Sequence, residues 1–200
     1  ATIDGVVDLF EKTQLMDGYL NTYYILTDRS KRWTNLKDNH ELYCAGHLLE
    51  AAVAYYKATG KRKFLDIMLR YIDHIDSVFG PDKKRGTSGH PEVEMGLCKL
   101  YRVTGNEKYL KLARYFVDQR GHREDRAEPD FGSYAQDHKP VIEQDEAVGH
   151  AVRACYLYAG IADVAALTGD KSYIAAIDRI WDNVVTKKQY ITGGVGARRA

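Results

Sequence analysis

The chain has 200 residues, of which 44% are hydrophobic and 28% are charged, so it is long enough and apolar enough to bury one sizeable core. Its 29 basic and 28 acidic residues nearly cancel, which removes the electrostatic case for a nucleic-acid or membrane partner. No apolar run approaches the ~18 residues that a membrane-spanning helix needs.

The first segment of the chain is predicted to hold one helix followed by irregular structure. Residues 2–12 carry apolar side chains at helical spacing, which predicts an amphipathic helix whose apolar face is Val6, Val7, Leu9 and Phe10. After a turn at Asp17-Gly18, the run YLNTYYIL is β-like and is expected to be extended, as a small strand or an ordered loop. Residues 30–39 are polar and are expected to form a loop.

From about Glu41 onward, one helix–turn–helix unit is repeated three times. Each unit has a Thr-Gly corner, and the corners are Thr59-Gly60, Thr104-Gly105 and Thr168-Gly169. The corner glycines are 45 and then 64 residues apart, and a period near 45 indicates an array of helical hairpins. The predicted helix pairs are 41–58 with 62–78, 90–103 with 107–119, and 143–167 with 171–186. Pro91 fits the first turn of its helix, which would place His90 at the cap.

The first helix of each pair is the more apolar one, which predicts an inner and an outer layer. The helices that contain Ala52, Cys98 and Ala154 should be inner, and those that contain Leu69, Ala113 and Ile177 should be outer. This alternation is typical of an all-α protein built as an α/α toroid of helical hairpins. A closed (α/α)6 barrel needs roughly 270 residues. Residues 1–200 are therefore expected to be an incomplete barrel domain, truncated after the Gly-rich turn at 193–196.

Residues 121–142 interrupt the repeat between the second and third units. This stretch has two prolines, two glycines and no helical stripe, and loops of this length are usually functional lids or disordered segments. Phe131, Tyr134 and His138 favour an ordered lid.

Each unit also contains a Gly-His step, at Gly46-His47, Gly89-His90 and Gly149-His150. Every one of these histidines has a carboxylate three or four residues away, and the pairs are His47 with Glu50, His90 with Glu94, and His150 with Glu146. Such a carboxylate can fix the tautomer and leave the other ring nitrogen for a ligand, while the glycine permits close approach. A single pair is more often just a satisfied buried polar pair. Three at equivalent positions predict a shared site where the inner helices converge.

The remaining candidates are weaker. Arg32 and Trp33 could line the mouth of the toroid or simply pack, and three further histidines are expected at the surface: His40, His74 and His122. The three cysteines lie in apolar helical runs and are expected to be reduced core residues: Cys44, Cys98 and Cys155. They favour a reducing, cytoplasmic compartment, although a removed signal peptide would leave no trace.

The GGVG turn lacks the Gly-Lys-Ser/Thr ending of a phosphate loop, so the sequence does not favour nucleotide binding there.

Long segments of the chain, taken in order, are similar to one enzyme family. They are RWTNLKDNHELYCAGHLLEAAVAYYKATGKRKFLDIMLRYIDHIDSVFG, GHPEVEMGLCKLYRVTGNEKYLKLARYFVDQRG, HKPVIEQDEAVGHAVRACYLYAGIADVAALTGD and NVVTKKQYITGGVGARR. In these segments the chain resembles the catalytic domain of the β-L-arabinofuranosidase family (glycoside hydrolase family 127). The resemblance implies an (α/α)6 barrel followed by β-sandwich domains, and retaining hydrolysis of terminal β-L-arabinofuranosyl groups.

The same resemblance implies an unusual catalytic pair. The family uses a cysteine nucleophile on a zinc ion held by cysteines and a glutamate, with a separate glutamate as acid/base. Those groups follow the Gly-Gly-x-Gly turn that Gly193, Gly194 and Gly196 match, so the zinc ligands are expected outside this chain, and no catalytic or metal-binding residue is expected on it. None of the three cysteines matches a catalytic one. The family's sugar-contacting histidines match His47, His90 and His150.

The leading prediction is therefore the N-terminal part of a retaining glycoside hydrolase that supplies sugar-binding histidines. Its partners would be a glycan substrate and the remaining C-terminal part of the same protein, and the 200 residues alone would be inactive. One alternative is a non-catalytic helical-repeat binding or scaffold module. Another is a metal site formed by the His/Glu pairs, because His and Glu four residues apart on a helix can share a cation.

Overall fold

The computed structural model describes residues 2–124, 126–128 and 130–196, and this part of the chain is all-α. Its eight α-helices are α1 (Thr2–Thr13), α2 (Thr22–Leu26), α3 (Glu41–Thr59), α4 (Lys63–Val78), α5 (Val93–Thr104), α6 (Glu107–Gln119), α7 (Ala151–Thr168) and α8 (Lys171–Asn183). Short helical turns occur at Arg29–Lys31, Ser133–Ala135, Val141–Glu143 and Val184–Lys188. Within the described ranges, β-structure is limited to isolated bridges, between Phe79 and Lys84 and between Gln189 and Val195.

Six of these helices form three antiparallel hairpins in two layers. Helices α3, α5 and α7 pack side by side as the inner layer, and α4, α6 and α8 each pack on their own inner partner. Helix α1 packs against α4. The predicted inner and outer helices are thus confirmed, and the arrangement is that of an α/α barrel.

The Thr-Gly corner ends each inner helix in the same way. The hydroxyls of Thr59, Thr104 and Thr168 donate to the carbonyl four residues earlier, at 2.7, 2.9 and 2.8 Å. The glycine that follows has a positive φ of 73°, 68° or 70°, and an added Cβ there would meet no atom within 4 Å. Glycine is therefore favoured at the corners by backbone conformation rather than by lack of space.

The outer helices bury one face, as their sequences predict. Seven side chains of α4 lie in the core: Phe64, Leu65, Ile67, Met68, Tyr71, Ile72 and Ile75. The prediction for α1 was less accurate, because only Val7 is buried, whereas Val6 and Leu9 are 42% and 58% exposed. Helix α1 packs mainly on α4, with a hydrogen bond from Tyr55 of α3 to Asp4, and has little surface to bury.

The β-like segment 19–26 is a correction to the sequence analysis. Tyr19 and Leu20 are buried outside any regular element, and the following residues form the short helix α2. The side chain of Asn21 accepts hydrogen bonds from the backbone N–H groups of Tyr23 and Tyr24, at 3.1 and 3.5 Å. This N-cap outweighs the β preference of the tyrosines that follow it.

Two inner helices begin later than predicted. Helix α5 starts at Val93, so His90 and Pro91 lie in the loop before it and Glu92 is its N-cap. Helix α7 starts at Ala151 with His150 as its N-cap, and the residues before it contain only a short 3-10 turn.

Helix α7 also corrects the expectation that no apolar run reaches membrane-spanning length. It has 18 residues with a mean hydropathy of 1.2, so by length and composition alone it could cross a membrane. A third of it is buried within the described chain, and it packs against α5, α6 and α8. A core helix of a helical-hairpin array has the same composition, so this feature is weak support for a membrane span.

The expectation of three core cysteines was wrong for two of them. Cys98 is buried on α5, whereas Cys44 and Cys155 are exposed, and all three are free thiols. Helices α3 and α7 are apolar around much of their circumference, so their sequences do not show which side faces the core.

Candidate functional site

Five rings meet at the start of the inner layer, and they form what we call the ring cluster: His47, His90, His150, Tyr43 and Tyr156. The Tyr43 ring centroid lies 4.4 Å from that of His47 and 4.3 Å from that of His90. His90 and His150 are 6.3 Å apart, and Tyr156 lies 5.8 Å from His47 and 5.5 Å from His90. The structure therefore brings together the three histidines of the Gly-His steps.

The three histidines reach the cluster from different kinds of backbone. His47 is inside α3, His90 is in the loop before α5, and His150 caps α7. His90 is buried, whereas the side chain of His47 is 39% exposed. The cluster is thus partly exposed to solvent.

The glycine before each histidine is required by close backbone contacts. A Cβ on Gly46 would lie 2.8 Å from the carbonyl carbon of Glu92, one on Gly89 would lie 2.0 Å from the carbonyl oxygen of Lys37, and one on Gly149 would lie 2.1 Å from that of Ser133. The Gly-His step is therefore a packing device that lets another chain segment pass directly beside each histidine.

A buried polar network holds the loop that carries His90. The hydroxyl of Ser88 donates to the His90 carbonyl at 2.5 Å and accepts from the His90 N–H at 3.2 Å. The guanidinium of Arg120 is fully buried and donates to the Ser88 carbonyl at 2.8 Å and to the Thr87 hydroxyl at 3.3 Å. It also lies 3.7 Å from the carboxylate of Glu94. This network fixes the loop, and with it the position of the imidazole.

The hydrogen bonds of two histidines define their tautomers. Nδ1 of His90 lies 2.9 Å from the Pro91 carbonyl, which can only accept, so Nδ1 carries the hydrogen and Nε2 is an acceptor. Nδ1 of His150 accepts from the N–H of Arg153 at 3.4 Å, so in the neutral ring Nε2 carries the hydrogen and is a donor. Burial lowers the pKa of His90 to about 4, and it also lowers the pKa of His47. Both rings are therefore neutral near pH 7.

The carboxylates that the helical spacing assigned to the histidines have other partners. Glu50 pairs with Lys99, Glu94 with Arg120, and Glu146 with Lys188 at 2.7 Å. The three-or-four-residue rule applies only inside a helix. It fails for Glu94 because His90 precedes α5, and for Glu146 because both Glu146 and His150 precede α7.

Glu92 is the carboxylate that the sequence analysis missed. Its side chain is fully buried, and its Oε1 lies 3.1 Å from Nδ1 of His47. Neither carboxylate oxygen makes a hydrogen bond in the described chain, so the approach to His47 is a short contact in distance only. Burial, with a smaller contribution from the neighbouring Glu94, raises the pKa of Glu92 to about 8. The Glu92–His47 contact joins α3 to the loop before α5, and no spacing along one helix could have indicated it.

Two residues outside the ring cluster extend it. His40, which was expected to be an ordinary surface histidine, lies 6.1 Å from His90 between ring centroids. Tyr134 lies 5.5 Å from His150. By contrast, Trp33 and His74 stack on each other beside the core at 6.0 Å, so packing, not the toroid mouth, is the role of Trp33. His122 is exposed, as expected.

Tyr134 belongs to the 121–142 segment, whose described residues are ordered and lie beside the cluster. The buried carboxylate of Asp137 pairs with Arg126 at 2.6 Å and accepts from the N–H groups of Gly121 and Phe131. The side-chain amide of Gln136 donates to the Val148 carbonyl at 2.8 Å. These contacts fix the segment against the start of α7, so it forms a wall of the site.

The zinc site that the family resemblance implies does not fit the residues described. Among those residues, three potential metal ligands lie close together. They are His47, Glu50 and Glu92, and their donor atoms are all within 4.8 Å of one another. This group contains no cysteine, and Lys99 already neutralises Glu50. A cysteine–glutamate zinc site is therefore absent from the described part of the chain.

The fold and the ring cluster together define an α/α-barrel domain with a polar, aromatic site at one end of its inner helices. Comparison with known proteins identifies the family. The sequence profile of the β-L-arabinofuranosidase GH127 catalytic domain matches residues 1–200, and the chain belongs to this family.

Relatives and solved structures agree with this assignment. A non-reducing end β-L-arabinofuranosidase from Bifidobacterium longum is 39% identical, over 98% of this chain and 33% of its own length. The crystal structure of a GH127 β-L-arabinofuranosidase from Geobacillus stearothermophilus T6 is 54% identical with a TM-score of 0.91, over 96% of this chain and 33% of that one. A second solved GH127 β-arabinofuranosidase is 50% identical with a TM-score of 0.89, over 98% and 32%. The chain thus spans about a third of the length of these relatives.

Proposed function

We propose that this chain forms the sugar-binding part of the active site of a retaining glycoside hydrolase that releases terminal β-L-arabinofuranosyl groups. The family assignment supports the activity, since the relatives it matches are β-L-arabinofuranosidases. The observation that carries the proposal is the convergence of His47, His90 and His150 on one partly open surface.

The chemistry of the ring cluster suits a sugar. A neutral imidazole offers one donor and one acceptor, and each sugar hydroxyl can use either. The cluster presents an acceptor at His90 Nε2 and a donor at His150 Nε2, next to the faces of Tyr43 and Tyr156. Aromatic faces beside a few fixed polar groups are typical of small-molecule sites.

Retaining hydrolysis needs two further groups that flank the scissile bond. The resemblance places the cysteine nucleophile, its zinc and the glutamate acid/base beyond the Gly-rich turn, and the described residues offer no such set. In this proposal the chain binds and orients the sugar. It does not break the glycosidic bond, and the 200 residues alone should show no turnover of a chromogenic β-L-arabinofuranoside.

The proposal is tested by alanine variants in the longer polypeptide that would contain this chain. Replacing His47, His90 or His150 removes a hydrogen bond to an uncharged group, worth about 0.5–1.5 kcal/mol, so kcat/KM should fall by roughly two- to tenfold for each. The matched control is His122→Ala, because this histidine is exposed and lies outside the cluster.

If the three variants retain the kcat/KM of the control, the ring cluster does not bind the substrate. A non-catalytic scaffold, the alternative, predicts this indifference and no arabinofuranoside binding.

A further inference from the structure

Glu92 is a buried acid, and the polar group of the ring cluster that lies beside its carboxylate is the imidazole of His47. The side chain of Glu92 has no exposed surface, and its two oxygens make no hydrogen bond in the described chain. A buried polar group without a partner costs free energy, so the 3.1 Å approach to Nδ1 of His47 is the contact it is expected to use. The other ring nitrogen, Nε2, is then the one available to a ligand.

Close packing holds the backbone around Glu92 next to the helix that carries His47. Gly46, the residue before this histidine, packs against Glu92 so closely that an added Cβ would lie 2.6 Å from Glu92 Cγ. The backbone N–H of Glu92 donates to the carboxylate of Glu94 at 2.9 Å, and Glu94 lies 3.7 Å from the buried guanidinium of Arg120. Both sides of the contact are therefore held by the fold.

We propose that Glu92 is a positioning residue that determines which nitrogen of His47 carries the hydrogen, and so whether Nε2 donates to or accepts from a sugar hydroxyl. Its role toward the sugar rests on the proposed function, whereas the tautomer control does not.

The proton balance defines two states of the pair. When the Glu92 carboxyl is protonated, its O–H donates to Nδ1, so the neutral imidazole carries its hydrogen on Nε2 and is a donor. When one proton leaves the pair for solvent, the carboxylate accepts from N–H at Nδ1, and Nε2 becomes an acceptor. The raised pKa of Glu92 places the change near pH 8. At neutral pH the cluster then offers donors at His47 and His150 and an acceptor at His90.

The charged neighbours of the pair set where this change occurs. From the segment of α5, Glu94 faces Glu92 and raises its pKa further, although Arg120 offsets part of that charge. From α3, Glu50 lies within 4.8 Å of both groups, and Lys99 of α5 neutralises it. From α7, Tyr156 faces His47, and its own pKa is raised.

The test is a pH titration of the 200-residue chain labelled with 15N-histidine, observed by NMR correlations that distinguish protonated from unprotonated ring nitrogens. In the unsubstituted chain, Nε2 of His47 should change from the protonated to the unprotonated type with a midpoint near pH 8. The Glu92→Gln side chain is uncharged and does not titrate, so the tautomer of His47 should not change across the same range.

Glu50→Gln is the matched control. It removes a carboxylate that lies within 4.8 Å of the same histidine but is paired with Lys99. The tautomer change should persist in it. A His47 whose tautomer is constant from pH 6 to pH 10 in the unsubstituted chain would overturn the proposal, and that result does not depend on whether Glu92→Gln folds.

Addition of zinc ion alone to the chain separates this account from a metal site. The His47 signals should be unmoved by zinc. A zinc-dependent shift of His47 that Glu50→Gln abolishes would also overturn the proposal. Failure to bind an arabinofuranoside, with the tautomer change present, would instead contradict the proposed function.

Discussion

The contacts and pKa values of the side chains in the site are set mainly by residues that are distant in sequence, not by sequence neighbours. His47 was correctly singled out from its Gly-His step, but its carboxylate is Glu92, which is 45 positions further along the chain. The sequence could indicate the histidines because a motif repeated three times is visible along the chain. It could not indicate Glu92, because that contact exists only once α3 and α5 are packed together.

The raised pKa of Glu92 predicts a specific dependence of stability on pH. Its pKa rises from 4.5 to about 8 on folding, so between these values the native state binds more protons than the unfolded state. The free energy of unfolding should therefore fall as pH rises from 4.5 to 8. Glu92→Gln should remove this decline.

Urea unfolding at pH 5 and at pH 8 measures this difference. The comparison is made between variants because His90 contributes in the opposite direction: its lowered pKa makes stability fall as pH drops from 6.5 to about 4. Parallel pH curves for the unsubstituted chain and Glu92→Gln would show that Glu92 is ionised in the native state throughout.

At the scale of elements, local sequence patterns were enough to predict the helical hairpins but not the structure of the loops between them. The Thr-Gly corners located the ends of α3, α5 and α7, because a positive φ at glycine is a local requirement. The start of α5 was predicted three residues too early, at 90 rather than at Val93, and its N-cap is Glu92 rather than His90. That loop is shaped by Arg120 from the end of α6, a tertiary contact with no local signal.

Arg120 should therefore contribute strongly to stability. Arg120→Met leaves the buried carboxylate of Glu94 and the Ser88 carbonyl without their partner, and the loss of one member of a buried ion pair costs about 3–5 kcal/mol. Chemical unfolding gives the value. Arg114→Met is the control, because Arg114 pairs with Asp118 and Asp170 at the surface, where such pairs contribute about 0–1 kcal/mol. Equal losses of unfolding free energy in the two variants would contradict the role of Arg120 in fixing the loop that carries His90.

Gly46 tests the close packing of α3 on the loop before α5. An added methyl group would lie 2.8 Å from two backbone atoms, at Glu92 and Val93, so Gly46→Ala should destabilise the fold by about 1–3 kcal/mol. Gly5→Ala in α1 meets no atom within 4 Å and should instead stabilise it by about 0.5–1 kcal/mol. Thermal unfolding of both variants should show shifts of opposite sign. A stabilised Gly46→Ala would mean that the two segments are farther apart than described.

At the scale of the whole molecule, the arrangement of three helical hairpins in two layers explains why a site forms at all. Inner helices that run in the same direction bring equivalent positions to one end, and there the repeated Gly-His steps meet as the ring cluster. The sequence could predict the fold class and the shared location, because both follow from the repeat. It could not predict how the imidazoles are held, since two of them lie outside the helices to which the repeat assigned them.

The central claim is that the ring cluster binds a β-L-arabinofuranosyl group. It is tested most directly by titrating methyl β-L-arabinofuranoside into the 15N-histidine-labelled chain and following the side-chain signals. The account predicts saturable shifts at His47, His90 and His150, with His74 and His122 unchanged, since His74 packs against Trp33 and His122 is exposed outside the cluster. Shifts confined to His74 and His122, or no saturable shift in any of the three cluster histidines, would contradict it.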